Sequence, residues 1–260
     1  MAFWRKPTIG VIELHGTIAA RDGALSATSA EPLIKRAFAA AGRYPVILDI
    51  ESPGGSPVQS DLIARMIRRE ADRKQVRVHA VIREVGASGG YWLACAGDEI
   101  HANPMSIVGS IGVRGGGFGA PALLAKLGIE HRLYTAGENK ARLDPFSPER
   151  PEDVVFAKEL MDSLHTRFKD WVRERRGIRL KGRDEQVFDG GFMLGQKALE
   201  LGLIDGLHDV AGLARQLAGP GIRLRRYARK KRGLLSRLPR AGAEALLDVV
   251  EERTWSTLFR

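Results

Sequence analysis

Apolar runs of strand length alternate with amphipathic helical stretches along most of the chain. Pro7 to Leu14 (PTIGVIEL), Pro45 to Ile50 (PVILDI) and Val76 to Ile82 (VRVHAVI) read as buried strands. Gly16 to Ser29 is rich in small residues and reads as a loop. Glu31 to Ala41 has helical spacing and stops at Gly42. After the second strand, Ser56 can cap a helix with Pro57 at its first position and Gln59 at its third, a capping-box arrangement. Strands and helices alternating in this way predict an α/β fold of repeated βαβ units around a mostly parallel sheet.

The third strand runs into VGASGGYWLACAG, Val85 to Gly97. A serine flanked by glycines, between a strand and an apolar helix, presents its hydroxyl at a sharp turn. Small neighbours let a substrate backbone come close. Such a serine can act as a nucleophile or simply cap the helix. The second strand likewise ends in Glu51-Ser-Pro-Gly-Gly55-Ser-Pro, where the glycines either free backbone N–H groups or only form a tight turn. Both turns follow parallel strands, so both open at the carboxyl edge of the sheet, where α/β folds bind ligands.

Downstream, the pattern predicts a short strand at Glu99 to Ala102, a turn at Asn103-Pro104 and an apolar run from Ile107 to Val113. Gly115 to Gly117 lacks the Lys-Ser/Thr of a phosphate loop and reads as a close-packed or flexible segment. A helix over Pro121 to Leu127, a strand over Ile129 to Thr135 and a long polar loop over Ala136 to Pro151 follow. Glu152 to Arg176 forms an amphipathic helix with Val155, Leu160, Leu164, Phe168, Trp171 and Val172 on one stripe. Val187 to Leu207 reads strand, helix, strand, and a further helix reaches about Ala218. A domain over residues 1–218 and a tail over 219–260 are expected.

Charge sharpens the division. The formal net charge is +10, and residues 221–260 hold 11 Lys+Arg against 4 Asp+Glu. The body is nearly balanced, which argues against a nucleic-acid enzyme. The tail combines RLRRYARKKR with an amphipathic stretch over 241–259, and residues 223–259 are expected to make peripheral contact with an anionic membrane or a partner. The single cysteine, Cys95, lies in an apolar helix, excludes an internal disulfide and reads as a small core residue. No run of about 18 apolar residues marks a membrane span, so a cytoplasmic location is expected.

A serine hydroxyl needs a base. The six histidines are His15, His79, His101, His131, His165 and His208, and none carries a triad signature. His79 alternates with apolar neighbours in its strand and reads as structural. Lys140, in the long polar loop, is the other candidate. An α/β-hydrolase esterase remains open, with Ser88, Asp189 or Asp205, and His208 in the right chain order, though without an HGGG-type segment. An inactive scaffold and a crotonase-type acyl-CoA enzyme are further readings.

LDIESPGGSPVQS, GASGGYWLACAGDEIHANPMSIVGSIGV, LGIEHRLYTAGENKARLDPFSP and VFDGGFMLGQKALELGLIDGL, in this order and spacing, resemble the signal peptide peptidase A and SohB type of serine peptidase, over roughly residues 8–210. The resemblance implies a Clp/crotonase-like fold and a Ser-Lys dyad. Ser88 stands at the nucleophile position and Lys140, 52 positions later, at the general-base position. Ser110 stands where a hydroxyl orients the lysine amine, and Gly55 and Gly89 stand at the oxyanion hole. It implies ATP-independent cleavage of signal-peptide remnants or other unfolded hydrophobic peptides in a homo-oligomeric ring, with no cofactor and no metal. A free lysine titrates near 10.4, so such a base has to be desolvated or placed near positive charge.

Overall fold

The computed structural model describes residues 8–229. They fall into two units, residues 8–112 with 166–229, and residues 113–165. The tail stretch over 241–259 lies outside the described residues.

The first unit is built on a sheet whose strands are apolar where both faces are covered. Strand β1 (Thr8–His15) leads through a loop to helix α1 (Ala27–Ala40). The helix starts before Glu31, because Ser26 and Ser29 satisfy each other's backbone N–H groups at its N-terminus. Strand β2 (Val46–Ser52) and helix α2 (Pro57–Lys74) follow, then strand β3 (Val78–Ala87) and helix α3 (Gly89–Ala94). Ser56 caps α2 as its position suggests, but Gln59 does not close the box. Its Oε1 accepts from the Ala27 N–H at 2.8 Å and ties α2 to the start of α1.

Strands β4 (Glu99–Ala102) and β5 (Ile107–Gly109) share one edge of β3. The first pairs with residues 79–82 and the second with residues 85–87. Chain order continues with helix α4 (Pro121–Lys126), the long helix α5 (Pro151–Arg176), helix α6 (Asp184–Val187), strand β6 (Phe192–Leu194), helix α7 (Gly195–Glu200), strand β7 (Gly206–Leu207), helix α8 (Val210–Ala218) and strand β8 (Arg223–Tyr227). The sheet runs β6-β5-β3-β2-β1-β8, with β4 joining β3 to β7, and only β5 with β6 is antiparallel.

Strand β8 was hidden in the basic run. It pairs with β1 from Thr8↔Arg223 to Ile12↔Tyr227, so the sheet extends past Gly219-Pro220, where composition alone places the end of the domain. Its charges serve the fold. Arg226 donates to Asp49 at 2.8 Å and to Glu13 at 3.1 Å, and Arg229 donates to the Gly23 carbonyl at 2.9 Å.

One face of the sheet carries the larger core, including Leu48, Ile50, Ala80 and Ile82 with Phe38, Ile63 and Tyr91 from the helices. Cys95 is fully buried there, and burial pushes its thiol up to about 12. From Thr166 onward α5 belongs to this unit. Phe168 and Trp171 pack on Trp92, and Trp171 Nε1 donates to the Trp92 carbonyl at 3.1 Å. The opposite face packs Ile9, Val11, Ile47 and Val81 under Val210, Leu213 and Ala214 of α8.

The second unit contains α4, a turn-rich segment and the first part of α5. Asp153 is buried and accepts from Arg150 at 2.8 and 3.0 Å and from the Leu143 N–H at 3.4 Å. His131 Nε2 lies 2.9 Å from Asp144. Ile129 to Thr135 is not the expected strand. It pairs with no strand among the described residues, and Ile129, Leu133 and Tyr134 are exposed.

The main buried charge pair is Arg176 with Asp205, bidentate at 2.8 and 2.9 Å, with Arg176 only 1% exposed. Burial alone would raise the Asp205 carboxyl. Hydrogen bonds and charge from Arg176, the Ile100 N–H and Arg179 outweigh it and hold the group below its ordinary 3.8. Asp205→Ala leaves a buried guanidinium without its partner and is expected to cost about 3–5 kcal/mol, read as a lower urea midpoint. Because the folded value is depressed, this carboxylate's contribution is fully present above the unfolded value and is lost as pH falls through the folded one. The stability of Asp205→Asn should therefore fall less steeply than that of the unsubstituted chain below about pH 4.

Candidate active site

Strand β3 ends at Ala87, and the chain reverses at Ser88 before α3 begins. Ser88 has φ +52° and ψ −122°, a backbone conformation that a residue with a Cβ rarely adopts. Its surroundings enforce it. The Ser88 N–H donates to the Gly109 carbonyl at 2.8 Å, and the Ser88 carbonyl accepts from Tyr91 at 2.9 Å and Trp92 at 3.0 Å. Helix α3 is anchored in turn by Tyr91, whose hydroxyl donates to the Leu203 carbonyl at 2.6 Å. Ser88 makes no side-chain cap hydrogen bond, so its hydroxyl is left available for chemistry rather than spent on the helix. This is the geometry of a nucleophile elbow, where strain is kept because the surroundings over-determine it.

The Ser-Pro-Gly-Gly turn after β2 presses directly on this elbow. A Cβ on Gly54 would lie 2.7 Å from Gly89 N and 2.8 Å from Ser88 Cβ, and Gly54 has φ +100°. A Cβ on Gly89 would meet Ser60 Oγ at 2.5 Å, and one on Gly90 the Ser52 carbonyl at 2.3 Å. Glycine is required at Gly54 and Gly90 because another backbone lies against them, and at Gly89 because the Ser60 side chain fills the space. Ser52 fixes the turn, donating to the Gly16 carbonyl at 2.7 Å and accepting from the Gly54 N–H at 3.2 Å. Gly55 bridges to Ile18, with Ser56 N–H donating to the Ile18 carbonyl and Ile18 N–H to the Gly54 carbonyl. The Gly55 and Gly89 N–H groups find no acceptor among the described residues. Two unpaired backbone donors beside one hydroxyl can stabilise an oxyanion.

Ser110 leaves the strand beside Ser88. Ala87 pairs with Gly109, so the two serines follow neighbouring strand ends. Ser110 also has positive φ, +51°, and its N–H donates to the Gly191 carbonyl at 2.6 Å. The structure thus brings Ser88, Ser110, Gly55 and Gly89 to one edge of the first unit. Lys140 belongs to the second unit. It sits exposed in a turn in which its N–H donates to the Gly137 carbonyl at 3.2 Å. Gly54 was not singled out from the sequence, although the paired glycines of the turn were its signal.

The Ser-Asp-His alternative finds little support. Asp205 is taken up by Arg176 and the Ile100 N–H, and Asp189 accepts from the Gly191 N–H at 2.8 Å. His208 stands edge-on to His101, with ring centroids 5.4 Å apart. No imidazole hydrogen-bonds Ser88 among the described residues.

A sequence model of Peptidase family S49 matches residues 70–219 of this chain. The chain is 46% identical over 242 residues to a Brucella melitensis protein named Na(+)/H(+) antiporter NhaA, a match that covers 91% of this chain and 33% of that protein. It is 32% identical over 204 residues to the putative protease SohB of Buchnera aphidicola, covering 78% of this chain and 56% of the relative. It is 32% identical over 218 residues to the chloroplastic serine protease SPPA of Arabidopsis thaliana, covering 81% and 31%. The chain therefore spans about a third of the Brucella and Arabidopsis relatives and just over half of the Buchnera one.

The strained serine leads to a stability test. Ser88→Ala keeps the Cβ and the strain, whereas Ser88→Gly removes both. Ser88→Gly should unfold at higher urea than Ser88→Ala, by about 1 kcal/mol once the extra chain entropy of glycine is subtracted.

Proposed function

The chain belongs to peptidase family S49, and on that premise we propose that it is a serine endopeptidase working through a Ser-Lys dyad on unfolded hydrophobic peptides such as signal-peptide remnants, without ATP. The observation that carries the reading is the Ser88 elbow, a strained serine with a free hydroxyl beside two unpaired backbone N–H groups. Lys140 enters as the base because the resemblance implies that role for it, and it falls within the matched span, residues 70–219.

In the proposed reaction the neutral Lys140 amine takes the proton of the Ser88 hydroxyl as its oxygen attacks the scissile carbonyl. Ser110 positions the amine. The carbonyl oxygen becomes an oxyanion and is held by the Gly55 and Gly89 N–H groups, whose fixed orientation needs no reorganisation during the step. The ammonium then gives its proton to the leaving nitrogen, and the peptide bond breaks to leave an acyl ester on Ser88. A water deprotonated by the same amine hydrolyses that ester and frees the serine.

A ring of copies fits the surface of the second unit. Phe118 is 96% exposed and Tyr134 88%, and Leu123, Leu127, Ile129 and Leu133 are also exposed. A neighbouring copy would cover this apolar set. The transport activity in the Brucella relative's name is not carried over, since the match covers only 33% of that protein.

Hydrolysis of an unstructured apolar peptide should fall about a thousandfold or more in both Ser88→Ala and Lys140→Ala, with unchanged far-UV circular dichroism. Full activity in Lys140→Ala together with its loss in His208→Ala would instead establish a histidine base.

A further inference from the structure

Far from Ser88, at the amino end of the sheet, three ligand-type side chains converge. His79 lies on β3, and Glu99 and His101 on β4. The register His79↔Glu99 and Val81↔His101 sends all three from the same face of the sheet. Ser88 lies nine steps along the chain from His79, past the end of β3, roughly 30 Å at strand rise. The histidines are 2% and 5% exposed. His79 Nδ1 and both ring nitrogens of His101 have no hydrogen-bond partner, an arrangement that buried polar atoms rarely keep.

The separations suit an ion better than a hydrogen bond. His79 Nδ1 stands 3.4 Å and His101 Nε2 3.5 Å from the same oxygen, Glu99 Oε2. Both are beyond ordinary hydrogen-bond length. Ligands about 2.0–2.2 Å from a tetrahedral centre stand roughly 3.3–3.5 Å from one another. All three ligand atoms lie within 4.8 Å of each other. Arg77 donates to the other carboxylate oxygen, Oε1, at 2.9 Å and so turns Oε2 toward the imidazoles, as an outer-shell partner does.

We propose that His79, Glu99 and His101 bind one divalent transition metal ion, zinc by the character of the donor set, which clamps β3 to β4 at the edge of the sheet opposite the serine. Two imidazole nitrogens and one carboxylate oxygen are a zinc set. Water takes the fourth position from the side on which Glu99 is half-exposed. The ion's contribution is to stability, since the site is too distant to reach an acyl group on Ser88.

The full chain, stripped with a chelator and dialysed, is titrated with Co2+ and then Zn2+. One equivalent of Co2+ should give the visible bands of a tetrahedral site, and one equivalent of Zn2+ should abolish them and raise the Tm. The His79→Gln/His101→Gln double variant should lose the bands and weaken Zn2+ binding by about 100-fold or more. Glu99→Gln, which leaves both rings in place, should weaken it by about tenfold, and Ser88→Ala should bind as the unsubstituted chain does. Absence of both bands and stoichiometric Zn2+ binding in the unsubstituted chain overturns the proposal. So does persistence of the bands in the double variant.

Discussion

The backbones at Gly54 and Gly89 touch, and much of the first unit serves to keep them in contact. One belongs to the turn after β2 and the other to the turn after β3. Parallel pairing of β2 with β3 brings the two turns to the same edge. The approach leaves no room for a Cβ on Gly54, which would stand 2.7 Å from Gly89 N, and one on Gly89 would stand 3.3 Å from Gly54 Cα and 2.5 Å from Ser60 Oγ. Around this contact stand the half-buried Ser88, whose hydroxyl is not spent on a cap, and the two backbone donors beside it. Helix α3 has little freedom to drift, because Tyr91 is tied to the Leu203 carbonyl and Trp92 is covered by Phe168 and Trp171.

Charge is used mainly inside this framework. Arg176 joins α5 to Asp205, just before β7, and also donates to the Gly202 carbonyl, so one guanidinium holds a helix, a loop and a strand start together. Arg226 reaches from β8 over β1 to the buried Asp49 on β2. Part of the strongly basic sequence is therefore committed to the sheet rather than offered to a partner. The two ends of β3 have different chemistry. The carboxyl end carries backbone donors and serines, and the amino end carries imidazoles and a carboxylate held within the sheet face.

Residues in the strands and the Ser88 turn were legible because their signals are local. PVILDI and PTIGVIEL are apolar apart from Asp49, Thr8 and Glu13, as strands covered on both faces largely are, and they form β2 and β1 with nearly the predicted bounds. GASGG declared a sharp turn because only small residues flank the serine. Ile129 to Thr135 was misread for the same reason that the others were read well. Its apolar spacing suits a strand, but pairing requires a partner edge, and that is a property of the assembled sheet.

The sequence by itself determined the alternation of strands and helices, the positions of the two glycine turns and the identity of the serine between them. Each of these rests on backbone preference and side-chain size within a few residues. Only the tertiary structure decided that Gly54 rather than Gly55 presses on the Ser88 turn, that RLRRY is a strand with Arg226 paired to Asp49 and Glu13, and that His79, Glu99 and His101 meet. Those facts depend on which strand lies beside which, and in what register. The 21 positions between His79 and His101 carry no local record of that pairing.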